Sequence, residues 1–64
     1  MKELDSVKLT EEYKGIPAGT KGAIVLEYDG TRFEVEFFDE SGNTIDVFTT
    51  PIGILEMIEA ASED

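Results

Sequence analysis

The segment Phe33-Glu34-Val35-Glu36-Phe37 alternates apolar and acidic residues without a break, and turn-forming residues bound it on both sides. A period of two fits an extended strand with one buried face. Phe33, Val35 and Phe37 point one way and the two glutamates the other. Asp29-Gly30, just before it, is a hairpin dipeptide, so the apolar, β-branched run Ala23-Ile24-Val25-Leu26-Glu27-Tyr28 should fold back on it antiparallel. Asp39-Glu40-Ser41-Gly42-Asn43 supplies a second turn, leading into Thr44-Ile45-Asp46-Val47-Phe48-Thr49, whose β-branched residues again favour a strand. Pro51 stops that strand, because proline has no N–H to give a ladder.

Ahead of these hairpins, Ser6-Val7-Lys8-Leu9 reads as a short first strand with Val7 and Leu9 facing inward. Between it and the hairpins, Gly15 to Gly22 holds three glycines and one proline, the composition of an irregular loop that carries the chain sharply from one strand to the next. Near the end, Ile54, Leu55, Met57 and Ile58 suit one face of a short helix, or a helical turn followed by a last strand. The reading adopted is a turn at Ile52 to Ile54 and a strand over Leu55 to Ile58. At 64 residues the chain makes one domain. A chain of that size buries only about 60% of its unfolded surface, so the core is thin. An ordered core of about 4–58 is expected, with 59–64 a frayed polar tail. A mainly all-β, five-stranded SH3-like barrel accommodates these elements, because closure removes exposed sheet edges. The rival is an open antiparallel sheet covered by a C-terminal helix.

Chemistry is bounded by what is missing. With no cysteine and no histidine, the chain lacks the commonest transition-metal ligands, the commonest general base and the usual nucleophile–base pairs. It reads as a non-enzyme with no cofactor and no metal. No disulfide strengthens the core, and a reducing cytoplasm suits such a chain. The start of the sequence lacks the apolar run of a signal peptide, and the longest apolar stretch, Ala23 to Leu26, is too short to span a membrane. Fifteen acidic against five basic side chains give a net charge of −10, which repels phosphate backbones and anionic lipid, so neither nucleic acid nor membrane is an expected partner. From Phe33 onward there are nine acids and no base. One reading of this excess is a surface that stays soluble; a sharper one is an acidic face that meets a basic protein, and the two are compatible.

The order of a short strand, the loop Pro17-Ala18-Gly19-Thr20-Lys21-Gly22, the strand Ile24-Val25, Tyr28, Phe33-Glu34-Val35-Glu36-Phe37 and Thr49-Thr50-Pro51 resembles a family of small bacterial proteins, domain of unknown function 4926. The resemblance covers about Leu4 to Ile58. It implies a single SH3-type barrel, related in pattern to KOW-motif domains and to the nitrile hydratase β subunit. It implies no activity, and it brings no functional residues. The sequence departs from nucleic-acid-binding KOW domains in having few basic residues near the glycine loop.

Each candidate constellation has a plain structural alternative. Glu34 and Glu36 are a carboxylate pair, but they fall where an alternating strand puts its solvated residues. Asp39 to Asn43 is oxygen-rich yet lacks the spacing and distal glutamate of a calcium loop, so it reads as a turn. Gly15, Gly19 and Gly22 lack the spacing and the Lys-Ser or Lys-Thr of a phosphate-binding loop. Among the aromatics, Phe33 and Phe37 belong to the core, while Tyr13, Tyr28, Phe38 and Phe48 are candidates for an exposed patch unless bulges and the barrel's curvature fold two or more of them into the core. A partner surface is therefore expected from Tyr28, Glu34, Glu36, Phe38, Asp39, Glu40, Asp46 and Phe48. The function expected of it is that of a small acidic protein-binding module, an inhibitor of a basic partner in the manner of antitoxins and immunity proteins. The alternative is an accessory or assembly subunit of a larger enzyme.

Overall fold

The computed structural model describes residues 1–60. Five strands form one antiparallel sheet: β1 Ser6–Leu9, β2 Lys21–Asp29, β3 Arg32–Phe38, β4 Thr44–Pro51 and β5 Leu55–Glu59. Their order across the sheet is β4-β3-β2-β1-β5. A single turn of 3-10 helix, Ile52–Ile54, separates β4 from β5, so the segment after Pro51 is a turn followed by a strand, and among the described residues no helix lies on the sheet. β5 takes in Glu59, and positions 61–64 of the expected tail lie outside the described residues. Among the described residues no helix is long and apolar enough to cross a membrane.

The core forms on one face of this sheet. Phe33, Val35 and Phe37 of β3 are sealed from solvent, as their alternation requires, and they cluster with Val7 and Leu9 of β1, Ile24 of β2, Leu55 of β5 and Ile16 of the long loop. Joining strands as far apart as β3 and β5 in one apolar cluster obliges the sheet to curl around its inner face. Of the apolar run Ala23 to Leu26 only Ile24 is buried, because a bulge at Val25 breaks the register between the pairs Ile24–Val35 and Leu26–Glu34. Gly22 of β2 pairs with Phe37 of β3. A Cβ there would come within 2.7 Å of the Glu36 carbonyl oxygen and 2.8 Å of Val35 Cγ1, so the site excludes any side chain.

The barrel expected from the sequence does not close, because β4 and β5 are the outer strands and do not pair with each other. The three-residue link between them sends the chain across to β1, where Leu9 pairs with Leu55 and Lys8 with Glu56. The 3-10 turn is held to the turn before β3, the Ile52 N–H donating to the Thr31 carbonyl at 2.8 Å one position beyond the Arg32–Pro51 pair. Both turns fall where the sequence places them. In the first, the Asp29 carboxylate accepts from the Thr31 and Arg32 N–H groups at 2.8 and 3.0 Å, and β3 resumes at Arg32. In the second, the Asp39 carboxylate accepts from the N–H groups of Ser41 and Asn43, both at 2.9 Å, and Gly42 takes the left-handed φ of 87° that closes the turn.

Candidate functional site

The outer face of β2, β3 and β4 is where the sheet shows both charge and exposed apolar surface. Strand register settles which residues share it, since directly paired residues point the same way. Glu34 is flanked by Leu26 on β2 and Thr49 on β4, and Glu36 by Ala23 and Val47. Leu26 and Val47 are 44% and 39% exposed, and Tyr28, at 52%, reaches Glu34 with its hydroxyl at 3.5 Å. The glutamates lie between these apolar side chains, half-buried, and each carboxylate is oriented by a threonine of β4. The Thr49 hydroxyl donates to Glu34 Oε1 at 2.9 Å, and the Thr44 hydroxyl donates to Glu36 Oε2.

At one end of this face the row continues through Phe38 into an open groove of about 670 Å³. Phe38, Asp39, Glu40 and Ile45 form one wall, and the loop segment Pro17 to Lys21 forms the other. That loop is pinned by its backbone: the Leu9 N–H donates to the Thr20 carbonyl, the Gly19 N–H to the Leu9 carbonyl, and the Thr20 hydroxyl to the Pro17 carbonyl at 2.7 Å. Its part in a groove was not legible from its composition, which signals only a turn. No local signal announces a wall whose other half comes from the neighbouring strand, where Phe38 pairs with Lys21.

Of the eight residues expected to form a partner surface, six come together here: Tyr28, Glu34 and Glu36 on the face, and Phe38, Asp39 and Glu40 at the groove. Asp46 and Phe48 do not. Asp46 pairs with Phe37 and Phe48 with Val35, so both point to the inner side. Phe48 is partly buried against the core, with Tyr13 edge-on to it at 6.5 Å and the Lys14 ammonium 5.3 Å from its ring centre. The surface also holds a cation that the run of nine acids conceals: Lys21 pairs with Phe38 and lines the groove. Arg32, at the far end of β3, is occupied by Asp29 at 3.2 Å.

The fold and this surface define an all-β domain of one curled five-stranded sheet with the carboxylates of Glu34 and Glu36 on its outer face. The family model described as Domain of unknown function (DUF4926) matches residues 3–55, and the chain belongs to that family. Comparison with curated proteins and with solved structures gave no match.

Proposed function

We propose that this chain is a small protein-binding module whose contact surface is the outer face of β2, β3 and β4, and that its partner presents lysine and arginine to that face. The observation that carries the reading is the pair of half-buried carboxylates, Glu34 and Glu36, each held by a threonine hydroxyl amid exposed Leu26, Tyr28 and Val47. A side chain added only for solubility gains nothing from being oriented. A carboxylate fixed beside apolar surface offers a cation a preorganised acceptor, and the apolar neighbours supply the area such a contact desolvates. The net charge of −10 steers a basic partner toward the domain. An inhibitory or adaptor role follows from this mode of binding more directly than an assembly role does.

A photo-crosslinking residue at Val47, compared with one at Glu12 in the long loop, tests the proposal in cells of the source organism. The Val47 probe should capture a discrete basic protein, and capture should fall when Glu34 and Glu36 are both changed to lysine. With that protein purified, the double variant should associate more slowly and with a weaker dependence on salt. Equal capture with and without the charge reversal, in a variant that keeps its strand circular dichroism, refutes the reading.

A further inference from the structure

The two outer strands differ in how far their edges are covered. In an antiparallel ladder, successive residues of a strand turn their peptide groups alternately to one neighbour and the other. Leu9 bonds Thr20 on the β2 side and Thr10 bonds Ile54 on the β5 side, so Lys8 and Glu56 form the next bonded pair. Leu55 and Met57 therefore turn their peptide groups away from the sheet. The Leu55 N–H is used within the chain, donating to the Ile52 carbonyl. The Leu55 carbonyl and both peptide groups of Met57 have no partner among the described residues.

On β4 the same alternation turns Val47 and Thr49 outward, and there side chains cover two of the four outward peptide groups. The Asp46 carboxylate accepts from the Val47 N–H at 2.8 Å, and the Tyr13 hydroxyl donates to the Thr49 carbonyl at 2.9 Å. Among the described residues β5 has one of its four outward peptide groups used against two on β4, and no side chain covers its edge, so β5 is the more open edge for pairing.

We infer that the open edge of β5 receives an extended segment of another protein as a sixth strand, and that this segment carries lysine or arginine at alternate positions with apolar residues between. Charge selects this occupant. Glu56 and Glu59 are exposed along β5, and Lys8, 3.6 Å from Glu56, is the cation paired there. A second copy of the chain would bring another set of glutamates against these, with a net charge of −10 on each partner. The apolar positions are set by Met57 and Ile58, 40% and 45% exposed, which an added strand would cover. The inference is independent of the outer-face reading, because the β5 edge shares no residue with that face.

The test is an NMR titration of the full chain with the peptide acetyl-Lys-Val-Lys-Val-Lys-Val-amide. Binding at the edge should slow hydrogen exchange at the Met57 amide and shift the signals of β5. The Val47 and Thr49 amides on β4 should not change. The same peptide N-methylated at alternate residues, which keeps its charge but loses a row of donors, should abolish the protection. Glu56→Lys with Glu59→Lys should weaken binding by about fivefold or more. An unchanged Met57 amide at millimolar peptide overturns the inference, as does protection that survives N-methylation. Shifts confined to Glu34, Glu36 and Val47 overturn it too, while supporting the outer-face reading. Shifts confined to β5 uphold it without that reading.

Discussion

On the inner face of β3, Phe33, Val35 and Phe37 are sealed from water, whereas Glu34, Glu36 and Phe38, one residue out of step with them, stay half-buried on the other side. The inner three hold the fold together by area. The outer glutamates are held by hydroxyls of the neighbouring strand, an arrangement that contributes little to stability and a great deal to where a charge sits. One strand thus separates folding from recognition by the alternation of its pleat. Mutations on the two faces should differ in size and in kind.

The largest effect belongs to the inner face. Phe37→Ala removes a fully buried aromatic at a cost of about 3–5 kcal/mol, comparable to the whole stability of a domain this small. The variant should show no cooperative urea transition and poorly dispersed amide signals. Next comes Gly22→Ala, which pushes a methyl against the Glu36 carbonyl and the Val35 side chain. It should cost about 1–3 kcal/mol, read as a fall in urea midpoint at constant slope. On the outer face, Glu34→Ala loses the Thr49 hydroxyl bond and should cost about 0.5–1 kcal/mol. If Glu34→Ala unfolds the domain as Phe37→Ala does, the division of labour between the faces is wrong.

The smallest effect lies in the turn that begins β3. Hydrogen bonds from the Thr31 backbone and hydroxyl, and then from Arg32, lower the Asp29 carboxyl from 3.8 to about 2. A depressed carboxylate stabilises the fold above its unfolded pKa, and that contribution is lost as pH falls through the folded value. The difference in urea midpoint between the native chain and Asp29→Asn should therefore hold steady above about pH 4 and shrink toward pH 2. A difference that stays constant across that window means the carboxylate is not engaged.

Where a residue's environment is set within its own strand, the sequence was readable. The alternation of β3, the turn at Asp39 to Asn43 and the 3-10 turn after Pro51 are local patterns, and they lie where expected. β4 shows where this stops. Ile45 and Val47 are its more aliphatic positions, yet they lie exposed while Phe48 and Thr50 turn inward. Parity within a strand says which residues share a face but not which face is buried. Here the pairing of Val35 with Phe48, and a bulge between Phe37 and Phe38, decide it. The same limit hid Lys21 beside Phe38, Tyr13 on the β4 edge, and Asp5, which is buried and accepts from the Lys2 N–H at 2.9 Å.

The pairing of β1 with β5 sets a timetable for folding. The β2–β3 and β3–β4 hairpins join residues close in sequence and can form as soon as their turns are made, whereas β1 is synthesised first and must wait for the strand made last. Closing so long a loop is entropically expensive and slows a small domain relative to one built from local contacts. Until residues 55–59 leave the ribosome, Leu9 lacks its partner Leu55 and the β1 edge is as bare as that of β5 in the finished domain. A nascent chain paused before Leu55 should therefore be bound by chaperones and cut readily by proteases, and release of the last strand should end both at once.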